Sequence, residues 1–600
     1  MAGQHYPTRQ SMLQPAGSQQ SQQEARHARE QMKTSGVDLL DSIVLQKIAL
    51  EADAVNRSID TVLAKRTPYF AEEISYNLRV IRTLFGESND IVVRELELPM
   101  KEPVRAALIY LSSLVKREDI NNFILRPLMD KKHFPPALSL EMLYQHLHAH
   151  LLPDGDFRTV SHVAEAVHHL LEGEALLLVD TINRGILIGV EAPKGRSVEP
   201  PNIESAVLGP QAGFTEQIQT NFSLMRQYLH SSDLRVVTME IGRTALTKVA
   251  ICYIDGLTNT DLIAEVRRRL AMIEIDGIWD AGMIEQFLED NHVSPFPQVQ
   301  LSERPDKTAA NLLEGRVAVF VDGSPFSLIV PGVFTQFYQA SEDYNERWPM
   351  ATFIRFSRAV ALFFSLVTPS LYVALTEFNQ ELIPANFAVA VASGRVGVPF
   401  PAVIEVFAME VVVEVLREAT LRMPQRLGQA ISIVGVLVIG QSAISAGFAS
   451  PIVVVVVALT TVGSFAAPSY QAAMALRMLR FPLLLISAIF GLYGTMIGLL
   501  LIFNHLLSLK SFGVPFLSPV VPPHPKEWLD TVVQRPLWLR DTRPKELKAE
   551  DQKRLGVDPA TIWSNPTNVL EPHGYLSRRG LKHLVTARRA TRGGQSGERT

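Results

Sequence analysis

Apolar and polar positions divide the chain into three regimes. Up to about Trp348, apolar residues come in short groups set among polar ones. From about Phe356 to Leu507 they run almost unbroken, and from about Pro523 the chain is polar again. Within the first regime, "DLLDSIVLQKIALEADAV", after Gly36, has helical spacing. "NDIVVRELEL" (Asn89 to Leu98) partly alternates and predicts a strand, as does "AALIYLSSL" from Ala106. "EMLYQHLHAHLLPDG" predicts a helix that breaks at Pro153-Asp154-Gly155. These elements make a first α/β unit over 36–154. The strands "EALLLVDT" and "GILIGV" open a second α/β unit over 155–348. That unit continues with the pair "LRVVTMEI" and "KVAICYID", the helix "TDLIAEVRRRLAMI", and a hairpin from Gly315 to Pro331 that turns at Asp322-Gly323.

A membrane-spanning helix needs about 20 apolar residues. Within 349–508, the stretches 356–378, 430–448, 451–468 and 481–503 qualify. A fifth, 383–418, is apolar but broken by Pro384, Gly394, Arg395, Gly397, Pro399 and Pro401. Broken helices at membrane depth need protein or water to satisfy the freed backbone, so a re-entrant or interfacial element fits it better than a plain span. Arg347, Arg355 and Arg358 at the first span put its start on the cytoplasmic side. Four crossings then return the tail, 509–600, to that side.

The broken stretch poses a problem. "AVIEVFAMEVVVEVLREA" carries Glu405, Glu410, Glu414 and Glu418 among valines. One ionised residue at the bilayer centre costs roughly 2.5–3.5 kcal/mol on insertion scales, so four facing lipid would outweigh the apolar gain. At helical spacing Glu410, Glu414, Arg417 and Glu418 share a face, and Glu405 projects among apolar residues. Three readings follow: an interfacial helix with a wet acidic side, an acidic vestibule of Glu405, Glu410 and Glu414 that attracts cations, or ion pairs inside a bundle. Downstream, Gly428, Ser432, Gly435, Ile439, Ser442 and Ala446 fall on one narrow stripe. Small residues on one face usually mean close helix packing. In a ring of identical chains, Ser432, Gly435, Ile439 and Ser442 could instead line a pore, with Ile439 as its apolar constriction.

Composition adds little. The 600 residues are 20% charged and 47% hydrophobic, with a net charge of −4. The one cysteine, Cys252, excludes an internal disulfide and suits a reducing compartment. Residues 1–35 are Gln- and Ser-rich, read as a disordered arm, and have no apolar core of a signal peptide. The Arg-rich run after Ser577 either contacts anionic lipid or stays unstructured, and does not point to nucleic acid.

Six strings then add up: "IESAVLGPQAGFTEQIQTNFSLMR", "RPDKTAANLLEGRVAVFVDGSPFSLIVP", "EDYNERW", "QAISIVGVLVIGQSAISAGFASP", "LRMLRFPLLLISAIFGLYG" and "SFGVPFLSP". Together they resemble the GerA family of spore germination proteins, A-subunit type, over roughly Ser58 to Pro544. Gln211-Ala212 departs from the Arg-Glu usual in the family's Gly-Pro-Arg-Glu-Gly-Phe motif. The resemblance implies a multi-pass protein of the spore inner membrane whose N-terminal half, a pair of α/β subdomains, is cytoplasmic. It also implies a homo-oligomeric ring that passes ions, and partners in a transporter-like B subunit and a lipoprotein C subunit. A SpoVAF-like amplifier of ion release is the rival within the family. A small-solute transporter binding in 383–418 and a non-conducting membrane scaffold are the rivals outside it.

Catalytic and cofactor signatures do not emerge. Neither Gly-x-x-x-x-Gly-Lys-Ser/Thr nor Gly-x-Gly-x-x-Gly after a strand occurs. His146 and His150 share a helix face, but the sequence offers them no third ligand. His168 and His169 face different directions on a helix. No enzyme activity, cofactor or metal is therefore expected.

Overall fold

The computed structural model describes residues 69–100, 102–134, 142, 157–190, 199–201, 204, 206–422, 438–524, 527, 530, 531 and 533–555. The expected arm, the helix after Gly36, His146, His148, His150, Ser432, Gly435 and the Arg-rich run all lie outside these residues.

In the first unit, helix α1 (Ile74–Phe85) buries the stripe Ile74, Leu78, Ile81 and Phe85 and ends at Gly86, whose φ is 55°. Strands β1 (Ile91–Leu98) and β2 (Val104–Leu111) form a hairpin in which Ile91 faces Leu111. Then come β3 (Phe157–Val160), helix α2 (Val163–Glu172), β4 (Ala175–Val179) and β5 (Gly185–Ile188). The sheet is antiparallel in the order β1-β2-β4-β5-β3. Alternate residues of β2 serve its two faces. Ile109 and Leu111 pack under α1 and α2. Leu108 and Tyr110 pack against the helical residues 117–129.

The boundary expected at residue 154 is therefore wrong. The hairpin assigned to the second unit is β4 and β5, and β4 pairs with β2 in the first sheet (Ile109↔Leu176). All five β4 residues are buried, a position only a central strand offers. The Pro153-Asp154-Gly155 punctuation lies within one unit rather than between two.

The second unit repeats the plan. Helix α3 (Ile218–Tyr228) leads into β6 (Leu234–Ile241) and β7 (Thr247–Ile254). Helices α4 (Thr260–Ala271) and α5 (Ala281–Leu288) follow, then β8 (Gln300–Ser302), α6 (Pro305–Leu312), β9 (Val317–Val321) and β10 (Ser327–Val330). The order is β6-β7-β9-β10-β8, the same path as the first sheet. Local bonds recur as well. Asn77 accepts from Ala71 N–H and donates to Ala71 C=O, and Asn221 does both with Thr215. Asp180 accepts from Ile74 N–H, and Asp322 from Ile218 N–H. The two units are copies of one architecture.

A buried contact joins them. Arg226 of α3, fully buried, donates to both oxygens of Asp90 at 2.8 and 3.0 Å and to Ser88 Oγ at 3.0 Å. Asn89 N–H donates to Val236 C=O, so the loop before β1 covers the edge strand β6 of the second unit.

The apolar half forms a helical bundle. Helix α7 (Trp348–Val373) continues through a π-turn to Phe378. Two helices, α8 (Ala385–Gly394) and α9 (Ala402–Leu421), occupy the broken stretch. Residues 438–445 are helical, followed by α10 (Pro451–Ser464) and α11 (Tyr470–Ser508). By length and composition, Trp348–Phe378 and Tyr470–Ser508 are apolar enough to cross a membrane.

Helix α11 is not one rod. Gly491 interrupts it with φ 59° and ψ −139°, and the halves fold back on each other. Gly498 lies against Leu483, and Ser487 and Thr495 share a hydrogen bond. Ala472 and Ala475 meet Leu506 and Leu509 at the open end. The span expected at 481–503 is thus a hairpin with its bend in the middle. Hydropathy reported the apolar run and could not see the reversal, because the turn residue is an apolar-compatible glycine.

The described part of the tail packs on the second unit. Phe516 packs on Phe296, Phe334 and Phe337 of the second unit. Ser511 Oγ donates to Gln298 C=O, and Glu550 N–H to Leu257 C=O.

Candidate functional site

Helix α9 runs antiparallel to the first half of α11 along the bundle. Its start lies at the bend: Val403 N–H points to Glu377, and Gly491 touches Phe378. Farther along, Glu410 meets Arg480 and Glu414 approaches Arg477. This register brings Glu410 and Glu414 to arginines of α11. Glu410, 3% exposed, receives Arg480 Nη1 at 2.6 Å. Glu414 is held by Arg417 at 2.8 Å and lies 3.9 Å from Arg477. Glu418 pairs with Arg422 at the exposed end. Glu405, 1% exposed, accepts from Ser450 N–H at 2.9 Å at the N-terminus of α10, where the helix dipole favours an anion, and lies 3.9 Å from Arg395.

The proposed open vestibule of Glu405, Glu410 and Glu414 is therefore not what a single chain presents. Two of the three are sealed in the bundle, and all three face arginines. A valine-rich helix tolerates four acids because cations on the same helix and on neighbouring segments answer them. Hydrogen-bonding capacity is nevertheless left over: Glu410 Oε1 and the Nε atoms of Arg417, Arg477 and Arg480 have no hydrogen-bond partner among the described residues. The pairing of Glu414 with Arg417 three residues on is legible along the chain, but the partners on α11 are not. The available signal was "LRMLRF", two arginines three apart in an apolar run, matching acids four apart on an antiparallel helix.

Ile439 and Ser442 sit on the outside of the single-chain bundle, both exposed, while Gly440 turns inward towards Val454. The structure thus leaves Ile439 and Ser442, in the described half of the small-residue stripe, exposed among the described residues.

A second cluster ties the soluble part to the bundle. Asp343, 2% exposed, accepts from Arg355 Nε at 3.0 Å and from Arg358 at 3.0 and 3.1 Å on the first turns of α7. Asp530 in the tail binds Arg355 and Arg540, whose guanidiniums lie over the Tyr344 ring at 5.0 and 4.8 Å. Both feet of the α11 hairpin rest on the second unit. Gln471 Nε2 lies 2.9 Å from each oxygen of Glu285 on α5, and His505 lies 2.9 Å from Ser294 Oγ. Burial, with Glu289 beside it, pushes the Glu285 carboxyl up to about 8. Burial likewise pushes the Cys252 thiol up in the second core, so this cysteine is a packing residue.

Comparison with known proteins places this arrangement. The family model described as "Bacillus/Clostridium GerA spore germination protein" matches residues 79–546. The chain is 38% identical to spore germination protein KA of Bacillus subtilis (strain 168), over 82% of this chain and 90% of the relative. It is equally identical to the uncharacterized membrane protein YfkQ of the same organism, over 80% and 93%. It is 34% identical to spore germination protein A1, over 81% and 98%. A crystal structure of the N-terminal domain of the A subunit of the Bacillus megaterium spore germinant receptor GerK3 is 33% identical, with a TM-score of 0.36, covering 45% of this chain and 98% of that one. With two α/β units, an apolar bundle and relatives matched along most of their length, the chain belongs to the GerA family of spore germination proteins.

Proposed function

We propose that this chain is the A subunit of a nutrient germinant receptor, an oligomeric membrane protein that conducts ions or transmits the germination signal. In this reading the bundle crosses the spore inner membrane several times and the α/β units lie on the core side. Copies assemble into a ring, with B and C subunits as partners. The observation that carries the reading is the seating of both feet of the α11 hairpin on the second unit, through Gln471–Glu285 and His505–Ser294. A displacement of that unit bears directly on a hairpin inside the bundle. Exposed Leu485, Ile489, Leu500 and Leu501 on α11 suit contact with lipid or with another copy. Exposed Ile439 and Ser442 support a ring in which they face a common axis, with Ile439 gating by dewetting.

The test is ion release from liposomes carrying the protein with Ile439→Ala or Ile439→Asp. Raised leakage at normal protein level and normal assembly supports a pore lined by this stripe. Unchanged leakage in every variant, with assembly intact, overturns conduction through it.

A further inference from the structure

We infer that the first α/β unit holds a divalent transition-metal ion, zinc or manganese, between His169, Glu172 and Glu174. All three residues lie at the C-terminal end of α2. Gly173 adopts the left-handed conformation with φ 103°, and Glu174 N–H bonds back to His169 C=O. That turn folds the carboxylate of Glu174 over the imidazole. One ligand atom from each residue lies within 4.8 Å of the other two. His169 Nδ1 is 3.0 Å from Glu172 Oε2 and 3.2 Å from Glu174 Oε1. Two ligand atoms each about 2.1 Å from a tetrahedral ion are about 3.4 Å apart, so little movement brings three of them onto one ion.

The buried groups point the same way. Glu174 is 7% exposed, and its Oε2 has no hydrogen-bond partner among the described residues. His169 Nδ1 is also without an aligned hydrogen bond, despite its closeness to two carboxylate oxygens. A ring nitrogen and two carboxylates gathered this closely need either a proton on the ring or a shared cation. One imidazole nitrogen with two carboxylates is a donor set for zinc or manganese rather than for a purely oxygen-seeking ion.

The second unit supplies an internal control. Its equivalent corner has the same left-handed glycine, Gly315 with φ 98°, and the same return bond, Arg316 N–H to Asn311 C=O. There Asn311, Glu314 and Arg316 stand where the first unit has His169, Glu172 and Glu174. The buried Arg316 lies 3.6 Å from Glu314. The chain thus provides its own cation at one corner, whereas the other corner combines two acids with a histidine.

The experiment uses the untagged full-length chain in detergent, stripped with chelator and dialysed against zinc chloride. Metal is measured by mass spectrometry and affinity by calorimetry. We expect one zinc per chain that is lost in Glu174→Gln and in His169→Ala, and a melting temperature that zinc raises only in the parent. Should those variants not fold, Glu172→Gln at the exposed position weakens zinc binding at least about tenfold, the lower end of what even an outer supporting group costs. Absence of zinc binding in the parent, or unchanged stoichiometry and affinity in the variants, overturns the site. The three residues would then be an ordinary ion pair around a protonated His169.

Discussion

Glu410 of α9 and Arg480 of α11 meet at 2.6 Å with 4% and 5% of their side chains exposed. Removing one member of such a pair strands the other charge in the bundle, at a cost of about 3–5 kcal/mol. Glu410→Ala alone should therefore lower thermal stability in detergent markedly. Glu410→Met with Arg480→Met should return close to the parent, because an apolar pair needs no compensation. A double variant as unstable as the single one would show that the pair is not what stabilises this contact.

Arg226 and Asp90 pose the same problem between the α/β units, at 0% and 1% exposure. Arg226→Met leaves Asp90 and Ser88 without their donor and should destabilise the joined units by about 3–5 kcal/mol. Denaturant unfolding followed by far-ultraviolet circular dichroism, which reports both units, checks this. Loss of cooperativity, with two transitions where the parent has one, is the expected signature.

Glu285 makes the seating of α11 pH-dependent. Its carboxyl is raised to about 8 from an ordinary 4.5, so the folded chain keeps the proton that the unfolded chain gives up. The stability this proton preserves is complete below pH 4.5 and is lost as pH rises towards 8, at up to about 1.4 kcal/mol per pH unit. Melting temperatures recorded between pH 5.5 and 8.5 should fall more steeply in the parent than in Glu285→Gln, which cannot ionise. Parallel curves would remove Glu285 as the source.

Gly491 is required by the backbone. Its φ of 59° and ψ of −139° belong to a region open to glycine, and an added Cβ would lie 2.7 Å from Phe378 Cβ. Gly491→Ala should cost about 1–3 kcal/mol from backbone strain alone, with the Phe378 contact adding to it. Thermal unfolding of this variant beside Gly513→Ala, where φ is also positive but the space is open, separates strain from crowding.

Much of the α/β part was legible in short-range pattern. The paired strands from Leu234 and Lys248, the helix from Thr260 and the Asp322-Gly323 turn follow from spacing and turn chemistry. The duplication was not legible, because the copies share backbone-fixing residues, Asn77 with Asn221 and Asp180 with Asp322, amid divergent cores. The first boundary failed since a Pro-Asp-Gly string reads alike inside a unit and between units. In the bundle the sequence exposed the acids of α9, but the partner of Glu410 lies 70 residues away, and only the antiparallel register with α11 brings Arg480 to it. The corner at His169 went unread because two of its ligands flank a helix end, where helical spacing no longer describes direction.

The bend at Gly491 also bears on a question of parity. A chain that goes out along one limb and returns along the other contributes an even number of passages, whatever lies around it. Gln471 and His505 therefore lie at the same end of the bundle, beside Leu509 and Phe516. Counting the long apolar run as a single passage would put the following segment on the opposite face from the unit it packs against. The turn of one glycine is what allows the chain after the bundle to close over the domain that came before it.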